Sequence, residues 1–174
     1  AGRETEIDPI EPSAAPKHIA IVGGGPAGME AARVAAIRGH RVDLYEASPR
    51  LGGQMRLAAE APHRDEMLPA IGWWENELQR LQVRVHLGES IDATDPPKAD
   101  DLIWATGGDA GPTQIWRIRP HLREGIPGTE GLPHGRAIMA GTVAVSGKVL
   151  VIDEEGGWPA ISLCETLAAS DEVT

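Results

Sequence analysis

His18-Ile19-Ala20-Ile21-Val22-Gly23-Gly24-Gly25-Pro26-Ala27-Gly28 is a short apolar run that breaks into glycines and then into residues that favour a helix. An apolar run of this length before a glycine turn reads as a buried strand. Gly23 suits a tight exit from the strand, Gly25 lets backbone come close to a diphosphate, and Gly28 lets the following helix pack closely. The helix is expected over Ala27 to Arg38, ended by Gly39 at the C′ position. Arg41 to Tyr45 then reads as a second strand that closes on Glu46, 18 residues after Gly28. A carboxylate near that offset can accept hydrogen bonds from a ribose. Strand, glycine turn, helix, strand and acid together point to a dinucleotide or an adenine nucleotide; the alternative is a purely structural turn in an α/β domain.

Composition narrows the field. With 174 residues the chain can build one good core and part of a second. Gly and Pro number 21 and 14, so a loop-rich fold is expected. Phe is absent and Tyr occurs once, so the core must come from aliphatic residues and five Trp. A net charge of −10 argues against nonspecific affinity for nucleic acid or anionic membrane. No stretch is apolar enough to span a bilayer, and Ala1-Gly2-Arg3-Glu4 lacks the basic-then-apolar pattern of a signal peptide. The single cysteine excludes an internal disulfide and fits a cytoplasmic setting. The chain does not open on Met, as expected of a processed product or a fragment.

Outward from the turn, residues 1–16 carry three Pro and no hydrophobic period, and read as an extended linker or an unordered tail. On the other side, Ala47 to Gln54 forms a loop with adjacent Gly52 and Gly53 at the carboxyl end of the second strand. Open α/β sheets bind ligands at that end; the plainer reading is a turn before the next helix, with Arg50 on the surface. Met67, Leu68, Ile71, Trp74, Leu78 and Leu81 recur at helical spacing within Arg64 to Leu81, and Trp73 and Trp74 are expected to pack. Val83, Val85 and Leu87 alternate with Arg84 and His86 as in a half-buried strand. His63 and His86 fall in no ligand-spaced cluster and read as structural or solvent-facing.

Asp101 to Ala105 reads as a buried strand leading into Thr106-Gly107-Gly108, a small, hydroxylic and glycine-rich end suited to lie against a ligand. Asp109 to Gly141 shows little periodicity and is expected to be a long irregular connection, with Arg117, Arg119 and Arg123 solvated rather than bound to phosphate. Lys148 to Ile152 then reads as a strand, Ala160 to Ala169 as a helix, and Val173-Thr174 as the start of another strand. That is the outline of a second βαβ unit. Asp153, Glu155 and Trp158 stand where its fingerprint needs glycine. Two carboxylates beside a diphosphate cost about 1 kcal/mol or more even near solvent, so this unit is expected not to bind a nicotinamide nucleotide in the usual way. Cys164, inside the helix, is expected to be an inert buried thiol.

The order Val22 to Ala32, Glu46, Gly52-Gly53-Gln54, Ala105-Thr106-Gly107, Ile126-Pro127-Gly128 resembles the nucleotide-binding half of the trimethylamine dehydrogenase and 2,4-dienoyl-CoA reductase family of flavin and iron-sulfur oxidoreductases. The resemblance covers nearly the whole chain. It implies an α/β fold, a Rossmann-like FAD/NAD(P)-binding domain with a parallel sheet over 17–146, preceded by a linker over 1–16 and followed by the start of a second nucleotide-binding-like domain over 147–174. It implies FAD or ADP as cofactor, with Gly23, Gly25, Pro26, Ala27 and Gly28 at the pyrophosphate. Glu46 and Ala47 would stand at the adenosine ribose, Gly53 and Gln54 on the distal side, and Ala105, Thr106 and Gly107 in the returning loop. In that family a barrel domain carries FMN and the substrate site, and a 4Fe-4S cluster relays electrons; neither is expected within these residues. No catalytic or metal-ligating residue is expected here. The implied role is the FAD- or ADP-binding portion of an oxidoreductase for a small amine or enoyl substrate. The alternative is a noncatalytic ADP-binding structural module that docks onto a barrel domain or partner subunit; the spoiled second fingerprint looks more like the trimethylamine dehydrogenase branch.

Overall fold

The computed structural model describes residues 9–108, 131–153 and 157–170. The chain divides into two compact units, residues 1–56 with 68–107 and residues 57–67 with 108–174. In the first unit, β1 (His18–Val22), α1 (Pro26–Ile37) and β2 (Arg41–Glu46) follow one another as the fingerprint predicts. α2 (Gly53–Ala59), α3 (Leu68–Arg80), β3 (Arg84–Leu87) and β4 (Asp101–Trp104) come next in the chain. All pairings are parallel, in the order β3-β2-β1-β4.

The two faces of this sheet differ. Ile19, Ile21, Val42 and Leu44 point to one side and pack with Met29, Ala32 and Ala35 of α1 and Leu78 of α3. Each fully buried aliphatic side chain of this kind is worth about 1.5–3 kcal/mol, so this layer anchors the unit. The strand period of two puts Ala20 and Asp43 on the other side, and both are buried. At the amino ends, Lys17 Nζ pairs with Asp101 Oδ2 at 2.9 Å, and the His18 N–H donates to Asp100 Oδ2 at 2.8 Å. These contacts hold β4 in register beside β1.

Several elements differ from expectation. The helix expected over Arg64 to Leu81 is divided into a 3-10 turn at Asp65–Met67 and α3, because Pro69 lacks the N–H that would continue a helix through it and fits only a first turn. Gly53 and Gln54, read as the end of the loop, already belong to the helix α2; Gln54 to Ala59 are all good helix formers. β4 is not buried: it is an edge strand of the described sheet, and Ile103 and Trp104 are 37% and 44% exposed. Trp74 packs against the core while Trp73 is exposed, because consecutive helical residues face different ways. Trp73 instead carries the Arg33 guanidinium 5.4 Å from its ring centroid.

In the second unit, α4 (Gly135–Met139) and α5 (Trp158–Ala168) are helical. The first interrupts the connection expected to be irregular, and His134 caps it by accepting the Arg136 N–H at 3.1 Å. α5 bears out the expected helix. The strand expected over Lys148 to Ile152 is absent: an apolar run becomes a strand only beside a partner, and Leu150 and Ile152 are 85% and 59% exposed. Cys164 is exposed rather than buried, since α5 turns Leu163 and Leu167 inward, one turn apart on another face. The expectations for Arg117, Arg119, Arg123, the Ile126-Pro127-Gly128 segment, Glu155 and Val173-Thr174 lie outside the described residues, as do residues 1–8 of the linker.

Candidate nucleotide site

The backbone leaves β1 through Gly23, whose φ of +110° is strained for any residue with a side chain. Its N–H donates to the Tyr45 carbonyl at 2.8 Å, which tucks the turn under the end of β2. A Cβ on Gly23 would overlap the Ala105 carbonyl, and one on Gly28 would overlap the Gly23 carbonyl and reach Ala105 Cβ at 3.4 Å. The Ala105 N–H donates to the Val22 carbonyl at 2.7 Å. Turn, α1 and the end of β4 are thus seated together with no room for side chains.

Gly25 is different. It is the N-cap of α1, with no side-chain capping bond, and a Cβ there would meet no heavy atom within 4 Å. Pro26 follows at N1 and brings no N–H, whereas Ala27 and Gly28 belong to the first turn, whose N–H groups have no acceptor within the helix. No acidic residue lies in that turn. An open side, unsatisfied donors and the positive end of the helix dipole are the requirements for an anion.

Glu46 faces the turn from the end of β2. Its Oε2 accepts the Gly24 N–H at 2.6 Å and its Oε1 accepts the Ser48 N–H at 2.7 Å. A carboxylate has about four acceptor positions, so two remain for hydroxyl donors. The loop after β2 folds back onto the glycines: the Gly52 N–H donates to the Gly24 carbonyl at 2.8 Å, and a Cβ on Gly53 would lie 3.1 Å from Gly25 Cα. Gly23, Gly25, Pro26, Ala27, Gly28, Glu46, Gly53 and Ala105 are therefore brought together. Thr106 and Gly107 continue from Ala105 as exposed backbone, Gly107 at φ +74°. Ala47 and Gln54 are exposed at the margins. The contacts that hold the turn, from Gly24 to Leu51 and Gly52, are not foreseen from the sequence, although the adjacent Gly52 and Gly53 mark the loop.

A second polar cluster lies on the opposite face of the sheet. Asp43, its side chain 4% exposed, stands 2.6 Å from His18 Nε2 and 2.9 Å from His86 Nε2, and also accepts from Arg84. Burial pushes the Asp43 carboxyl up, but the hydrogen bonds from His86, His18 and Arg84 together outweigh it and hold it below its ordinary value. His86 also stacks on Tyr45 at 4.5 Å between ring centroids. The structural reading of His86 fits this position. Among the described residues no group of three or more His, Cys, Asp or Glu could hold a metal ion.

In the second unit, Trp158 opens α5 after the N-cap Gly157, and the Arg64 guanidinium lies 4.4 Å from its ring centroid. An indole already covered by a cation stands where a fingerprint would carry its third glycine.

Residues 21–82 match the family described as NAD(P)-binding Rossmann-like domain. The chain carries a Rossmann-like dinucleotide-binding domain. The chain is 37% identical over 164 residues to N,N-dimethylglycine/sarcosine dehydrogenase of Chromohalobacter salexigens, covering 91% of itself and 23% of that protein. Among solved structures it is similar to 2-naphthoyl-CoA reductase, with a TM-score of 0.76 at 27% identity over 95% of this chain and 24% of the other. The 6-hydroxypseudooxynicotine amine oxidase of Pseudomonas geniculata gives the same TM-score at 28% identity, over 92% and 24%. The chain thus spans about a quarter of the length of these relatives. It is similar to the nucleotide-binding domain of flavin-dependent oxidoreductases of amine and enoyl substrates, as its motifs imply. No described helix is long and apolar enough to cross a membrane.

Proposed function

We propose that this chain is the FAD- or ADP-binding portion of a flavin-dependent oxidoreductase acting on a small amine or enoyl substrate. The observation that carries this reading is the open side of Gly25 at the N-terminus of α1, beside a Gly24 whose N–H is held by Glu46. Gly23, Gly25, Pro26, Ala27 and Gly28 hold the diphosphate, with Ala27 and Gly28 as its donors. Glu46 accepts from the adenosine ribose, next to Ala47. Gly53 and Gln54 bound the distal side, and Ala105, Thr106 and Gly107 the returning loop. A bound FAD would supply electron transfer; the residues of this chain bind and orient it, and none contributes an acid or base to a substrate.

The domain boundaries expected from sequence, 17–146 for the nucleotide domain and 147–174 for the start of a second one, belong to the same reading. So do a cytoplasmic location, and a barrel domain or partner subunit that carries FMN and a 4Fe-4S cluster. A second reading, an ADP-binding module without redox function, is favoured by one feature. The Arg64-covered Trp158, with the acids at 153 and 155 in sequence, suits no nicotinamide nucleotide in the second unit. Mass analysis of the nucleotide released on denaturation, together with the absorption spectrum of the protein as isolated, separates the two. FAD with a flavin band supports the redox domain, ADP without colour supports the module, and failure to bind either nucleotide on addition overturns both.

A further inference from the structure

Gly24 is gripped on both sides. Its N–H is taken by Glu46, and its carbonyl by the N–H of Gly52. The residues that deliver Gly52 form a short strap, Leu51 to Gly53, pressed against the turn so closely that a Cβ on Gly24 would come within 2.5 Å of Leu51 Cδ2. The strap has its own anchor. Arg56 Nε donates to the Leu51 carbonyl at 2.7 Å, and Arg56 Nη2 reaches Glu75 Oε1 on α3 at 3.1 Å. The Arg56 side chain is only 23% exposed, and Gly52 leaves room for it: a Cβ there, at φ +113°, would stand 3.2 Å from Arg56 Cβ and 3.3 Å from its Nε.

We propose that Arg56, steadied by Glu75, is a positioning residue for nucleotide binding, fixing the Leu51–Gly53 strap so that Gly24 and the adjoining N–H groups are held in the geometry a diphosphate needs. The guanidinium fork suits this role because it donates in two directions at once, to a carbonyl and to a carboxylate. Neither Arg56 nor Glu75 needs to touch the ligand. A bound diphosphate gains from donors that are already ordered, since the ordering cost then falls on folding rather than on binding. The inference rests on the reading of the glycine turn as a nucleotide site, but the strap itself can be tested without ligand.

The test uses the full chain, with ADP as the probe in calorimetry and amide hydrogen exchange read at Gly52. Arg56→Met is expected to weaken ADP binding about tenfold, the scale of one lost hydrogen bond from a charged group, and to speed exchange at Gly52 in the absence of ADP. Glu75→Gln keeps an acceptor for Arg56 and is expected to bind as the wild type does. Glu75→Ala is expected to weaken binding, and Arg56→Met with Glu75→Ala to be no worse than Arg56→Met alone, because Glu75 acts only through Arg56. If Arg56→Met does not fold, Glu75→Ala carries the same test from the more exposed partner. Unchanged ADP affinity in Arg56→Met overturns the proposal, whether or not Gly52 exchange rises. Wild-type chain that binds no ADP overturns the nucleotide reading instead, and the strap then stands or falls on Gly52 exchange.

Discussion

Three glycines of the fingerprint are required for two different reasons, and substitution separates them. Gly28→Ala puts a methyl group into the Gly23 carbonyl, and is expected to cost about 1–3 kcal/mol of stability, as overpacking does; urea unfolding measures it. Gly25→Ala has open space and extended-side backbone at φ −74°, so its stability cost stays within the N-cap difference of about 1 kcal/mol, while ADP affinity falls because the methyl group occupies the approach. Glu46→Gln keeps one acceptor oxygen and loses the other, so the Gly24 clamp weakens, and with it the proposed ribose contact. The expected loss is about 1–3 kcal/mol in ADP binding by calorimetry, and unchanged affinity would remove Glu46 from the site. Asp43 gives a pH test. Its folded pKa is depressed, so its contribution is present above the unfolded value and disappears as the pH falls through the folded one. Asp43→Asn should lower stability at pH 7 by about 1.5–3 kcal/mol and remove that part of the acid dependence, which denaturation midpoints between pH 7 and pH 3 would reveal.

The elements could be read from sequence wherever a local pattern and a partner agreed. β1, α1 and β2 follow from the apolar run, the glycines and Gly39, and α5 from its composition. The reading failed where the outcome depended on neighbours that the pattern does not name. Val149 to Ile152 has the apolar content of a strand, yet a strand exists only through its ladder; Asp101 to Trp104 found a ladder but lies at an edge, so its apolar side chains remain exposed. Leu150→Ser is therefore expected to change stability by no more than about 0.5 kcal/mol, a result that a buried strand could not give. The glycine turn was recoverable because its spacing is set by turn geometry. The adjacent Gly52 and Gly53 marked the loop, but its grip on Gly24 and its anchor at Arg56 were not legible, because they depend on contacts to Gly24 and to Glu75, 19 residues on from Arg56.

At the scale of the molecule the two compact units predict two responses. A ligand that binds only the folded first unit stabilises it by mass action. Limited proteolysis with saturating ADP should therefore protect sites within 17–56 and 68–107, while cleavage among the exposed residues around Leu150 continues unchanged. Equal protection of both would show that the nucleotide acts on the chain as one body. The net charge of −10 adds a kinetic expectation. Long-range repulsion of an anionic nucleotide is screened over about 10 Å at 0.1 M salt, so the association rate should rise with ionic strength, the reverse of a site inside a basic field.

The half-exposed Trp104 at the end of β4 turns the site into an optical instrument. It directly precedes Ala105, which rests against Gly23, and its indole is 44% exposed. Isoalloxazine absorbs where indole emits and accepts that energy across the width of a domain, whereas adenine does neither. Tryptophan emission should thus be quenched when FAD occupies the turn and persist when ADP does, so the intensity of that emission separates the two nucleotides.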